Sequence, residues 1–251
     1  MIMNKIIEIK NLCKKYYTKD SEIIAIDDVS LDIYKGEYVA IVGPSGCGKS
    51  TFLNIIVGID NKTSGNIIVN DNIKIGYMPQ NDCLFSWLNI LDNCLVGLKI
   101  KNILTDDNIL YVKRLIKSYG LEEFMYKYPN SLSGGMRQRV ALIRTLALRP
   151  DVLLLDEPFS ALDYQTRLAV SDDVYRIIKN ENKTVIMITH DIGEACSVAD
   201  RVVVFSGRPS RVKKIFNIDM TNKSTPINNR KCKEFSRYYD MVWKEIGNYD
   251  K

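Results

Sequence analysis

Apolar residues alternate with polar ones, or run together briefly, through the first third of the chain. Ile6-Ile7-Glu8-Ile9 and Ile23-Ile24-Ala25-Ile26 alternate or run apolar, and Val29-Ser30-Leu31-Asp32-Ile33 alternates cleanly. A period of two turns one face of a sheet inward and the other to water, which predicts an N-terminal antiparallel sheet. Tyr38-Val39-Ala40-Ile41-Val42 has no polar break and predicts a buried central strand of a parallel sheet. Residues 49–57 then predict a helix, and 65–69 and 74–78 short strands. Between Trp87 and Lys127 the period changes: Leu88, Leu91 and Leu95, then Leu110, Leu115, Ile116 and Tyr119, recur at helical spacing and predict an inserted helical lobe. From Val152 the pattern reads strand to Leu155, helix 165–179, strand 184–189, helix from Ile192 and strand 201–205, an alternation that implies a parallel sheet flanked by helices. A polar run at 217–229 precedes a last amphipathic helix. One α/β domain over 1–251 is expected. Residues 1–86 and 150–206 form its core with the β-subdomain, 87–149 its helical subdomain, and 207–251 a C-terminal extension.

Composition narrows this only a little. With 251 residues, 46% hydrophobic and 26% charged, the chain can bury a large core and is neither disordered nor fibrous. Its net charge of +5 is uneven: residues 207–251 carry eleven basic and five acidic side chains, and the rest is nearly neutral. Such a basic stretch reads first as a solvated face. The six cysteines (Cys13, Cys47, Cys83, Cys94, Cys196, Cys232) show no Cys-x-x-Cys spacing, so neither zinc nor a disulfide framework is predicted, and a reducing compartment is expected. The opening ten residues lack the apolar core of a secretory leader, and no window approaches the roughly 20 apolar residues that span a bilayer. A soluble, cytoplasmic protein is expected, with any membrane role supplied by a partner.

Chemistry enters at Gly43-Pro44-Ser45-Gly46-Cys47-Gly48-Lys49-Ser50, followed by Thr51, which matches G-x-x-x-x-G-K-[ST] between a predicted strand and a predicted helix. Glycines let the loop curl so that its N–H groups face phosphates, and the helix adds its positive N-terminal end. Lys49 is expected to reach the β- and γ-phosphates and Ser50 to ligate Mg²⁺; Cys47 reads as a small filler. Val152-Leu153-Leu154-Leu155-Asp156-Glu157-Pro158 is a buried strand ending in two carboxylates, at the strand edge where open parallel sheets bind ligands. Asp156 is expected to hold Mg²⁺ through water, and Glu157 to act as general base toward the attacking water. His190, the only histidine, follows the apolar run Thr184-Val185-Ile186-Met187-Ile188-Thr189 and is expected to sense the γ-phosphate. Gln80, after the 75–79 strand, is placed to reach Mg²⁺ or the attacking water.

Between these stretches lies Leu132-Ser133-Gly134-Gly135-Met136-Arg137-Gln138-Arg139. With all of these residues in view, the chain resembles an ABC transporter nucleotide-binding subunit over nearly its full length, which implies a P-loop NTPase core, ATP and Mg²⁺ as ligands, and ATP hydrolysis. The resemblance also implies a head-to-tail homodimer. In it, two ATP molecules lie between the phosphate loop of one protomer and Ser133, Gly134 and Gly135 of the other, where a helix beginning near Gly135 aims its N-terminus at the γ-phosphate. Tyr16 is similar to the aromatic that stacks on adenine, with adjacent Tyr17 as the alternative. Ser160-Ala161-Leu162-Asp163 is similar to the loop that crosses the dimer interface.

Phe85-Ser86-Trp87-Leu88-Asn89-Ile90-Leu91-Asp92-Asn93, Met136, and Ser206-Gly207-Arg208-Pro209-Ser210-Arg211-Val212 resemble the nitrate/sulfonate/taurine-type importer ATPases. Ser86 and Gly193 depart from that pattern, where a proline and an acidic residue are usual; these departures bear on the solute rather than on catalysis. The implied function is to power uptake of a small solute through transmembrane permease subunits, with segment 85–87 as their docking surface. An extracytoplasmic solute-binding protein would be an indirect partner. The competing class is a soluble ABC ATPase acting on nucleic acid or the ribosome, but no second cassette, zinc insert or long coiled coil is seen, and no nucleic-acid partner is expected. A regulatory protein with a dead site would need a catalytic position left unfilled, and none is.

Overall fold

The computed structural model describes residues 4–19, 21–160 and 162–247. The chain opens with two long strands, β1 (Lys5–Tyr17) and β2 (Glu22–Tyr34), then β3 (Tyr38–Val42), α1 (Lys49–Val57), β4 (Ser64–Val69) and β5 (Ile75–Met78). Next come α2 (Ile90–Ile100), α3 (Asp106–Ser118), α4 (Gly134–Leu146), β6 (Val152–Asp156), α5 (Tyr164–Asn180), β7 (Thr184–Ile188), α6 (Ile192–Val198) and β8 (Arg201–Phe205). Strand β9 (Val212–Asn217) and helices α7 (Pro226–Asn229) and α8 (Lys233–Gly247) finish it. β2, β1 and β4 make the antiparallel sheet, and the main sheet runs β5-β6-β7-β3-β8-β9, parallel except for β9.

Strands β3, β6 and β7 are buried at every residue, as befits parallel strands covered on both faces. Their alternate side chains feed two cores. Val39, Ile41, Leu154 and Ile186 pack beneath α1 and the antiparallel sheet. Ala40, Val42, Leu155 and Met187 pack against the helices of the other face.

Caps define the helix starts. Asn89, Thr105, Ser133, Asp163 and Asp191 each accept a backbone N–H three residues on, at the heads of α2, α3, α4, α5 and α6. Helix α1 differs: Gly48 holds its cap position with no side-chain bond, leaving first-turn N–H groups for a ligand.

The structure refines the sequence reading at two points and corrects it at two more, both in the C-terminal stretch. The two patterned runs at 23–26 and 29–33 are one strand, β2, whose alternation slips at bulges where Asn11 and Asp28 take positive φ and bond to each other at 2.7 Å. Helix α4, which carries the 132–139 signature, starts at Gly134, beside the expected Gly135, because Ser133 caps it. The basic stretch at 207–251 is woven into the core: Val212–Asn217 is the edge strand beside β8, its alternation masked by Lys213 and Lys214, residues suited to an exposed edge. The polar run at 217–229 likewise contains α7.

Candidate active site

The phosphate loop joins β3 to α1 at the middle of the sheet, where parallel strands release their ends toward one rim. Gly48 sits at φ 122°, and a Cβ there would lie 2.9 Å from both the Ala25 carbonyl and Ser210 Oγ, so only glycine fits. Lys49 is buried, its Nζ donating to the Gly43 and Pro44 carbonyls at 2.8 Å each. Among the described residues no carboxylate pairs with it, so its charge is held for an outside anion. Beside it opens a cavity of about 540 Å³ whose wall includes Tyr16, Ser45, Gly46, Ser50, Thr51, Gln80 and Glu157.

Asp156 ends β6, buried, and burial pushes its carboxyl up while the Ser50 hydroxyl bonded to it pulls down. Its Oδ1 has no partner. A desolvated carboxylate oxygen without a donor, next to a hydroxyl, suits a hard divalent cation. Ser50 and Asp156 thus offer oxygens that could hold Mg²⁺, and Gln80, expected to join them, lies on the same cavity wall.

Glu157 takes φ 46°, an uncommon conformation for a glutamate, pinned by its N–H to the Ile188 carbonyl at 2.9 Å. Glu157 Oε2 accepts from Gln80 Nε2 at 3.2 Å and lies 3.2 Å from His190 Nδ1. Strands β5, β6 and β7 are neighbours, and Gln80, Glu157 and His190 follow them in that order. Both Gln80 and His190 are exposed at the rim.

Tyr16 lies on the cavity wall, and its hydroxyl donates to Asp60 Oδ2 at 2.6 Å; Lys14 sits 4.5 Å over its ring. Tyr17, 70% exposed, is not among the cavity residues, as expected of a strand neighbour that points to the other face.

Ser133, Gly134 and Gly135 do not line the cavity of their own chain. Gly135 is buried so tightly that a Cβ would meet Leu162 Cδ2 at 2.9 Å. Arg167 extends this contact, donating to the Leu162 carbonyl at 3.0 Å and to Asp191 Oδ2 at 3.2 Å. The signature helix, Leu162 and the turn at Asp191 are thus joined by direct contacts. Ala161 lies outside the described residues.

Behind His190, Glu194 is fully enclosed and accepts from the Thr189 hydroxyl, and burial pushes its carboxyl up to about 7. A raised carboxyl pKa contributes stability that is complete below about 4.5 and is lost as pH rises through about 7. Glu194→Gln is therefore expected to be increasingly more stable than the wild type from pH 5 to pH 8, by up to about 3 kcal/mol. Thermal unfolding across that range checks it, and a pH-independent difference would contradict it.

The segment after Gln80 is fastened to α4. Arg137 Nε donates to Asp82 Oδ2 at 2.9 Å, and Arg144 to the carbonyls of Asp82 at 2.6 Å and Cys83 at 2.7 Å. Asn93, wholly buried, bonds Phe85 N–H at 2.8 Å and the carbonyls of Phe85, Leu88 and Asn89. This knot presents Phe85 and Trp87 with ring centroids 5.1 Å apart and Trp87 71% exposed. Trp87 is a surface residue, not core.

Ile23, Ala25 and Arg208 complete the cavity wall and were not among the expected site residues. Arg208 belongs to a stretch singled out only for its resemblance; the available signal was that β8, which precedes it, is the neighbour of the strand leading into the phosphate loop.

The sequence profile of the ABC transporter family matches residues 26–160. The chain is 40% identical to the uncharacterized ABC transporter ATP-binding protein YtlC of Bacillus subtilis, over 98% of this chain and 97% of the relative. It is 36% identical to the taurine import ATP-binding protein TauB of Jannaschia sp. over 95% and 92%, and 34% identical to the nitrate transport protein NasD of Klebsiella oxytoca over 95% and 94%. Two solved dimers of the bacterial ABC transporter cassette MJ0796 superpose with TM-scores of 0.76 and 0.74, at 32% and 31% identity. Each covers 85% of this chain and 99% of the cassette, and the second is a post-hydrolysis state bound to ADP and Pi. With that likeness laid over a phosphate loop, a paired carboxylate edge and a capped Ser-Gly-Gly helix, the chain belongs to the ABC transporter family as an ATP-binding, ATP-hydrolysing subunit.

Proposed function

We propose that this protein powers uptake of a small solute of the nitrate, sulfonate or taurine kind, as a head-to-tail homodimer beneath two permease subunits at the cytoplasmic face of the membrane. A solute-binding protein outside would deliver the solute. The observation that carries the reading is likeness to TauB and NasD along nearly the whole chain. The outward Phe85–Trp87 pair supports it as a docking point. Among the described residues no helix is long and apolar enough to cross a membrane, so the transport path would lie in the partners.

In this reading Tyr16 stacks on adenine, the loop N–H groups from Gly43 to Thr51 hold the phosphates, and Lys49 turns its ammonium to the terminal ones. Mg²⁺ bound with ATP would be held by Ser50, by Asp156 through water and by Gln80, and would neutralise phosphate charge. Glu157 takes the proton of the attacking water. Glu157 accepts the Gln80 amide and faces His190, which keeps its carboxylate oriented. Ser133, Gly134 and Gly135 of the second copy close each site. Because Asp82 and Cys83 are fixed to α4, a shift of the signature helix carries the 85–93 knot with it, and with it the permeases.

The test is to purify Glu157→Gln protein with ATP from cells expressing the neighbouring genes. Recovery of a multi-span membrane protein in stoichiometric amount supports the reading. Recovery of nucleic acid or ribosomes without one overturns it in favour of a soluble ATPase.

A further inference from the structure

One turn outside the expected motifs reaches the nucleotide cavity. Residues 206–211 link β8 to β9 and are held from every side. Ser206 N–H donates to the Arg211 carbonyl at 2.9 Å and its hydroxyl to the Pro209 carbonyl at 2.8 Å. Ser210 exchanges backbone bonds with Ala25 and Asp27 at 3.0 and 2.9 Å, and its hydroxyl donates to the Cys47 carbonyl inside the phosphate loop. Arg211 is neutralised by Asp27. From this fixed turn Arg208 enters the cavity wall, donating through Nη2 to the Gly46 carbonyl at 2.9 Å.

Arg208 differs from the other arginines of β8 and its turn. Arg201 pairs with Glu37 and Arg211 with Asp27, whereas Arg208 has no carboxylate partner among the described residues. One N–H is used on Gly46, and the five-donor fork has others to offer at the wall of the cavity that Lys49 also lines. An unmatched guanidinium on a preorganised turn, beside a phosphate loop, has an anion as its natural complement.

We propose that Arg208 is a nucleotide-binding residue, a second cation that hydrogen-bonds the polyphosphate of bound ATP or ADP. It rests on the ATP-binding role of the loop but not on the transport reading. The phosphate loop would then be closed by a segment at the far end of the chain, so that affinity for nucleotide depends on β9 being docked.

The test is displacement of a fluorescent ATP analogue from the full-length protein by ATP, ADP and adenosine. Arg208→Ala is expected to weaken ATP and ADP about tenfold to a hundredfold and to leave adenosine unchanged. Arg208→Gln, which retains a donor for Gly46 but no charge, should be as weak as alanine, and Arg208→Lys should recover most of the affinity. Wild-type ATP affinity in Arg208→Ala overturns the proposal. So does recovery by glutamine, or an equal loss for adenosine, since either makes Arg208 a brace for the loop alone. A wild-type protein that binds no ATP would instead fault the assignment of the loop.

Discussion

Glu157→Gln is expected to lower ATP turnover by about 10²–10⁴-fold while ATP affinity stays close to that of the wild type. The substitution is isosteric, and its amide oxygen can still accept from Gln80, while His190 Nδ1 lies 3.2 Å from the same oxygen of the native carboxylate. The positive-φ backbone and its bond to Ile188 do not involve the side chain. What disappears is basicity, which bears on the transition state and hardly on ground-state binding. Steady-state phosphate release, read beside nucleotide titration, separates the two. Wild-type turnover would move the base elsewhere, with His190 the first alternative. A collapse of binding with turnover would make Glu157 a binding group.

The parts of the site legible in the sequence are those built by local patterns. A run of four or five apolar residues predicts a doubly buried strand, and β3, β6 and β7 are buried throughout. A glycine loop or an acidic pair directly after such a run must then stand at the strand's end. What stayed hidden depends on partners far along the chain. Tyr16 and Tyr17 are alike as letters, and only the hydroxyl bond to Asp60, 44 residues on, and the wall they share or avoid separate them. Arg208 meets Gly46 across 162 residues because β8 pairs with β3, a topological adjacency no short motif encodes. The break in alternation within β2 has a different origin: the pleat slips at a bulge, and a strict period of two cannot pass through it.

Lys49→Ala is expected to weaken ATP binding about 10²–10³-fold with little change in the stability of the unliganded protein. The native ammonium rests on the Gly43 and Pro44 carbonyls at 2.8 Å, and Lys49 itself lines the cavity, so water can enter where the ammonium stood and the folded loop loses little. A bound triphosphate loses far more, since a unit charge a few ångströms from the phosphates, partly shielded from solvent, is worth several kcal/mol. Calorimetric titration with ATP and with adenosine, beside thermal unfolding without nucleotide, tells binding from folding. Adenosine affinity should hold while ATP affinity falls, and a large drop in the unliganded melting temperature would show that the loop needs the lysine to fold at all. Joined to Glu157→Gln, the lysine variant should bind ATP no worse than it does alone, because one residue acts in the ground state and the other only as the water is activated.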